Sequence, residues 1–199
     1  MLRDAAQVSL SPFEPSPQEG TWSFQEVRGR LVQVSGEAVL TAATELVAQA
    51  QAAGEPVAWV AVDSDVYPPD LAACGVDLDS LVVVRVHDAQ AAARAADRLV
   101  RSGGFGMVVV DLTADGDVPL AVQSRLVGLA QRQEAAVVCL TRTPPEAPSL
   151  SPLVSLRVHV RRDRKAPGVF ACVLRPVRDK RRGTGWVWRR DCVGPAGVR

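Results

Sequence analysis

Five short runs of largely β-branched residues constrain this chain more than any other feature: Leu31–Ser35, Val57–Val62, Leu81–Val86, Met107–Asp111 and Ala136–Thr141. They are apolar at nearly every position rather than at alternate ones. That pattern marks strands buried on both faces, and such strands belong to parallel sheets with helices packed on either side. The intervening stretches have the matching character. Val39–Ala53 is Ala-rich, places Leu40, Ala43, Leu46, Val47 and Ala50 on one helical face, and stops at Gly54. Pro69–Cys74 is long enough for one or two turns. Asp88 is placed to cap a helix over Ala89–Ser102, which ends at Gly103-Gly104. Asp117 is placed to cap another, with Pro119 in its first turn, running to about Gln133. Strand and helix alternating at this spacing predict an α/β domain with a mostly parallel sheet.

Past Thr143 the character changes. Thr143–Pro152 holds four prolines and predicts an exposed loop. Ser155–Val160, Val169–Leu174 and Gly185–Arg189 then read as strands separated by charged turns too short for crossover helices, so they should run antiparallel. At the other end, residues 1–20 carry Pro12, Pro15 and Pro17 among Ser, Gln and Glu, and read as a flexible leader. The expected organisation is therefore a leader over 1–20, an α/β core over 21–156, and a β extension of the same domain over 157–199.

Charge follows that division. The 199-residue chain is almost neutral, formally +1. Residues 1–156, however, carry 10 basic and 19 acidic side chains, and residues 157–199 carry 13 basic and 3 acidic. An acidic body with a basic end suggests an interaction surface. Nearly all the cations are arginine, the lysines being Lys165 and Lys180. Cys74, Cys139, Cys172 and Cys192 form no C-x-x-C pair, and neither His87 nor His159 is near one in sequence, so no zinc spacing exists and reduced thiols are expected. No secretion signal or 18-residue apolar stretch is present, so the expectation is a cytoplasmic protein with no membrane partner.

In open α/β sheets ligands bind at the carboxyl ends of the strands. A phosphate loop after the first run would read G-x-x-x-x-G-K-[ST]: glycines let backbone amides approach the phosphates, the lysine neutralises the β/γ charge, and the hydroxyl holds magnesium. The sequence reads Gly36-Glu37-Ala38-Val39-Leu40-Thr41-Ala42-Ala43. The second glycine, the lysine and the hydroxyl after it are absent, and Glu37 would repel a triphosphate. Loss of such a lysine removes charge stabilisation on the order of a thousandfold or more in rate. Asp111 closes an apolar strand in the manner of a magnesium-holding Walker B carboxylate, and equally in the manner of an ordinary strand-end residue. Asp63 and Asp65, after Val57–Val62, have the same two readings.

The order of these pieces resembles a family. Gly29-Arg30-Leu31-Val32-Gln33-Val34-Ser35-Gly36 resembles the strand that opens the ATPase core of RecA recombinases, and Ala50–Gly54 the end of their first helix. Val57–Leu81, with Asp63, Tyr67-Pro68 and Gly75–Leu81, is similar to the next strand and loop. Leu99–Gly103 followed by Val108–Asp111 resembles the Walker B unit, and Val177-Arg178-Asp179-Lys180 the V-K-N-K strand end near the protomer interface. The likeness covers about residues 28–182 and implies a RecA-like α/β fold. Against it, Asp63 replaces the catalytic Glu, Asp70 stands in place of an adenine-stacking Tyr, and Thr141-Arg142 replaces the Asn-Gln sensor pair. The long DNA-binding loop shrinks to Thr143–Pro152.

A short RecA-like chain with these losses resembles the ImuA family of accessory proteins in bacterial damage-induced (SOS) mutagenesis. That resemblance implies a non-catalytic factor in error-prone translesion DNA synthesis that binds the mutagenic polymerase machinery and modulates RecA, with inhibition the expected direction; its partners would be RecA and an ImuB-like Y-family polymerase homologue, with self-association a further option. It implies no catalytic residue, no metal and no cofactor, with Gly36, Asp63 and Asp111 as a degenerate nucleotide site. The cell-division inhibitor SulA shares the reduced fold and is the competing type.

Three basic clusters lie in the extension: Arg161–Lys165, Arg178–Arg182 and Arg189-Arg190, with Trp186 and Trp188 between the last two. They admit three readings: a DNA-binding module, the competing function class, with arginines on phosphates and indoles on bases, or at least a weak DNA contact; a protein contact, since Trp and Arg dominate interface hot spots; or a solvated face whose tryptophans cover the sheet. The candidate partner-binding set is Arg178, Lys180, Arg181, Arg182, Trp186, Trp188, Arg189 and Arg190. In the resembled family the strand end carrying Arg178 and Lys180 faces the neighbouring protomer's nucleotide.

Overall fold

In the computed structural model, which describes residues 18–63, 66–112 and 118–193, all five Val-rich runs are strands. In chain order the elements are β1 (Gln18–Glu19), α1 (Phe24–Val27), β2 (Leu31–Gly36), α2 (Val39–Ala52), β3 (Val57–Val62), α3 (Pro68–Ala73), β4 (Leu81–Val86), α4 (Ala89–Arg101), β5 (Met107–Asp111), α5 (Leu120–Gln133), β6 (Ala136–Thr141), β7 (Leu156–Ala166), β8 (Val169–Asp179) and β9 (Trp186–Val193). They form one nine-stranded sheet in the order β1-β9-β8-β7-β2-β6-β5-β3-β4. The strands β2, β6, β5, β3 and β4 run parallel to their neighbours. Each is linked to the next in sequence by a helix, because a parallel crossover needs one.

The C-terminal strands run antiparallel to one another as expected, and the first of them also joins the parallel core. β8 is antiparallel to β7 and β9 is antiparallel to β8, as the short turns require. But β7 lies beside the central strand β2 and runs parallel to it, from Val32↔Leu156 to Gly36↔Val160. The proline-rich segment after β6 returns the chain to the amino end of the sheet, which fixes that direction. β7 is therefore part of the parallel core rather than of an appended antiparallel sheet. Gln18 and Glu19, counted in the leader, pair parallel with Trp186 and Val187 of β9; residues 1–17 lie outside the described residues.

Both faces of the sheet are covered. On one side Trp22, Phe24, Leu46, Val47 and Trp59 form an apolar cluster with Leu156, Cys172, Leu174 and Trp186. On the other, Ala92, Ala96 and Val100 of α4 and Leu126, Leu129 and Ala130 of α5 meet Ala58, Val60, Val108, Val110 and Val137. The small residues of α4 let it lie close to the sheet. Its amino end is capped as expected, the Asp88 carboxylate accepting from Ala91 N at 2.5 Å. Helix α5 begins two residues later than expected, at Leu120, with Pro119 in the capping position rather than in the first turn. Asp117, expected as its cap, lies outside the described residues.

The segment Thr143–Pro152 is not the freely exposed loop that four prolines suggest. Gln33, fully buried on β2, donates to Thr141 Oγ1 and Thr143 Oγ1 and accepts from Ser149 Oγ and Leu150 N, at 3.0–3.2 Å. Buried Gln123 accepts from Ser151 Oγ at 2.5 Å and donates to Val118 O. Arg157 donates to the carbonyls of Ala147 and Pro144 at 2.6 and 2.8 Å. Prolines lack an N–H, so their segment leaves carbonyls in want of donors; Arg157 supplies those of Ala147 and Pro144, and Gln123 that of Leu150.

Candidate functional site

The carboxyl ends of β2, β3, β5 and β6 bring Gly36, Asp63, Asp111 and Thr141-Arg142 to one end of the sheet, where a nucleotide would bind in a fold of this kind. Their geometry differs from that of a phosphate cradle. Only Glu37 and Ala38 separate β2 from α2. The Glu37 amide donates to Val160 O at 2.9 Å, so it belongs to the sheet. Gly36 has φ +114°, and a Cβ there would stand 2.1 Å from Val160 O. This glycine therefore serves the close approach of β2 to β7. The Glu37 carboxyl adds negative charge in the same two-residue turn.

Asp111 is buried at 1 % exposure between β3 and β6. Asp63 is exposed, in a left-handed conformation (φ 42°) that Asp tolerates better than most residues. Asp65 lies outside the described residues. Thr141 is buried and bonded to Gln33 and Thr143, so its hydroxyl serves the loop network; Arg142 is exposed. Among the described residues no group of three or more His, Cys, Asp or Glu is placed to hold a metal ion. No helix among them is long and apolar enough to cross a membrane.

The basic end does not form one patch. Asp179 pairs with Leu156, so the turn carrying Arg178, Lys180, Arg181 and Arg182 lies at the amino end of β2, opposite Gly36. Buried Asp179 anchors this turn. Its carboxylate accepts from Arg30 at 2.8 Å, from Arg181 N at 3.0 Å, from Arg182 Nε at 3.2 Å and from Trp186 Nε1 at 3.3 Å. Burial alone would push its pKa up, but the Arg30 hydrogen bond, the Arg181 amide and the two guanidinium charges outweigh it and hold the carboxyl at about 2. Burial also pushes Arg30 below its usual value.

Most cations of the turn are engaged within the chain. Lys180 Nζ donates to Pro152 O at 2.7 Å and Arg178 reaches the same carbonyl at 3.5 Å. Arg182 lies 4.3 Å over the Trp186 ring and pairs with Glu26 and Asp179. Trp186, expected among the partner-binding residues, is 6 % exposed and belongs to the core. Trp188 shares its face and is half-buried against the same cluster. Neither indole is presented for base stacking, and the tryptophans cover the sheet.

The other basic residues ride on the far end of β7, β8 and β9. β7 runs six residues past Val160, its last partner on β2, so the hairpins overhang the carboxyl end of the sheet. On the face toward α2, Arg162 lies 4.3 Å over Phe170 and Arg190 pairs with Glu45. The opposite face carries Arg161, Arg175 and Arg189. Arg175, which lies outside the charge clusters, was not legible as a surface residue by composition; the signal is its alternation with buried Leu174 and Pro176.

Residues 25–140 match the RecA N-terminal domain. The RecA protein of Picosynechococcus sp. is 32% identical over 154 residues, covering 67% of this chain and 43% of that protein. The RecA protein of Methylococcus capsulatus is 34% identical over 132 residues, covering 58% and 38% respectively. The chain thus spans less than half the length of these relatives. A crystal structure of the RadB recombinase superposes with a TM-score of 0.62 at 18% identity, over 82% of this chain and 87% of that one, which shows a shared fold.

Proposed function

This chain belongs to the RecA family, and from that premise we propose that it is a non-catalytic member: an accessory factor of the ImuA type in SOS-induced error-prone translesion synthesis, which docks on RecA and on an ImuB-like Y-family polymerase homologue and restrains RecA. The observation that carries this reading is the β2–α2 turn. Two residues, one of them Glu37 with its amide given to Val160, replace the lysine-bearing loop on which phosphoryl transfer depends. A family member without that chemistry retains value as a protein surface.

The docking element is the strand end around Arg178 and Lys180, which in the resembled family faces a neighbouring protomer's nucleotide. Here it is held rigid by the Arg30–Asp179 pair at the end of the sheet opposite Gly36. One end of the chain can then engage a RecA protomer while the other offers no nucleotide site to the next, so a filament would stop at it. The test is capture of purified RecA by the full chain and by Arg178→Ala/Lys180→Ala. Binding weakened tenfold or more in the double variant supports the reading; equal binding overturns it.

A further inference from the structure

On β7, β8 and β9, directly paired residues project to the same face of the sheet. Arg161 pairs with Val173, and Val173 pairs with Arg189. Arg175 stands two residues from Val173 and shares its face. Strand spacing puts Arg161 and Arg189 about 10 Å apart, with Arg175 about 7 Å along the strand from the residue between them. Three guanidinium groups therefore ring Val173, and each arginine is exposed.

Their counterions are few. Arg161 pairs with Asp163 at 3.0 Å, and the same face carries Lys165 paired with Asp191. Among the described residues, the side chains of Arg175 and Arg189 have neither an ion pair nor a hydrogen bond. Like charges gathered on one face of a sheet are destabilising, so this arrangement favours binding of an anionic group. Val173 itself is 1 % exposed yet belongs to neither apolar cluster, consistent with a cover of arginine stems. Beside it, β1 covers β9 only at Trp186 and Val187. Among the described residues, no strand lies against the outer edge of β9 from Trp188 to Val193.

We infer that this face, with the open edge of β9, is a docking site for an extended acidic segment of a partner protein, whose carboxylates take the Arg161, Arg175 and Arg189 guanidiniums. Charge decides for a carboxylate-bearing peptide over nucleic acid. Asp163 and Asp191 stand within the same face, which suits a partner with interspersed charge and repels a run of phosphates. The indoles that would stack on bases are on the opposite face, in the core. An open strand edge receives an extended peptide by backbone pairing, and planar guanidiniums meet carboxylates bidentately. Arg175 stands three residues from Arg178 on β8, so the test uses no RecA and leaves Arg178 and Lys180 unchanged, which keeps the outcome separate from that of the RecA-docking reading.

The experiment uses the full chain and three fluorescent probes: a twelve-residue peptide of alternating Glu and Val, the same peptide with Gln for Glu, and a single-stranded oligothymidylate. Anisotropy is read for wild type, Arg175→Glu and Arg164→Glu. Arg164 is exposed and pairs with Phe170, on the face of β7 opposite Arg161, so its reversal changes net charge without touching the site. Expected is saturable binding of the Glu peptide, at least tenfold weaker in Arg175→Glu, unchanged in Arg164→Glu, and absent for the Gln peptide. Tighter binding of the oligothymidylate with the same Arg175 dependence would assign the face to nucleic acid and overturn the proposal. So would equal loss in both charge reversals, or no binding of the Glu peptide.

Discussion

Replacing Asp179 by Asn restores the residue found in the resembled strand end, yet it should be among the most damaging changes in the chain. Arg30 and Asp179 meet at 2.8 Å with side chains 1% and 0% exposed. Asn keeps the shape but removes the charge, leaving a buried guanidinium uncompensated. Breaking one side of a buried pair costs about 3–5 kcal/mol. For a chain of this length that is a fall in Tm of about 6–20 °C. A pH signature accompanies it. The Asp179 pKa is about 2 in the folded chain against the ordinary aspartate value of 3.8. A carboxyl depressed on folding contributes stability that is full above its unfolded pKa and is lost as pH falls through its folded one. The contribution is on the order of 2 kcal/mol, lost between about pH 4 and pH 2. Urea unfolding of wild type and Asp179→Asn at pH 7 and pH 2.5 measures both quantities. The variants should differ strongly at pH 7 and converge in acid, and Arg30→Met/Asp179→Leu should recover much of the loss. An Asp179→Asn variant within 1 kcal/mol of wild type at pH 7, or a pH-independent difference, would refute the buried-pair account.

Gly36→Ala must bring a Cβ into Val160 O at a positive φ, so it should destabilise by about 2 kcal/mol or more, measured by thermal unfolding. Gln33→Leu strands Thr141, Thr143 and the Leu150 amide, at about 1–3 kcal/mol, and hydrogen exchange over residues 143–152 should rise while that in β5 does not. Asp88→Ala removes the α4 cap and should cost about 1 kcal/mol in the same assay. Burial pushes the Cys139 and Cys172 thiols up to about 12, so a thiol alkylating reagent at pH 8 should label exposed Cys74 and spare those two until the chain is unfolded.

The parallel core was legible because burial on both faces writes itself as uninterrupted Val and Ala runs. Even β4, whose outer positions Val82 and Val83 are exposed at the sheet edge, keeps that composition. Short elements were not legible: β1 has two residues and α1 four, too few for any periodicity. Nor was the place of β7 legible, because its pairing with β2 is a contact across more than a hundred residues that no local pattern carries. Polar residues inside buried strands were the missed signals. Gln33 and Arg157 fasten the proline-rich segment, and neither is explained by its neighbours in sequence. The internal partners of the cations at 178–182 were not legible either, because Pro152 O and Asp179 reach Lys180 and Arg182 only through the fold. Gly36, Asp63 and Asp111 did come together at one end of the sheet, since strand ends in a parallel sheet necessarily share an edge.

Nucleotide binding is the property on which the functional reading turns. The most direct measurement is calorimetric titration of the full chain with Mg-ATP, followed by phosphate release at saturating nucleotide. A two-residue β2–α2 turn carrying Glu37 and no lysine predicts no saturable heat and no turnover above the buffer rate. Saturable binding with phosphate release that Asp111→Asn abolishes would contradict the non-catalytic reading.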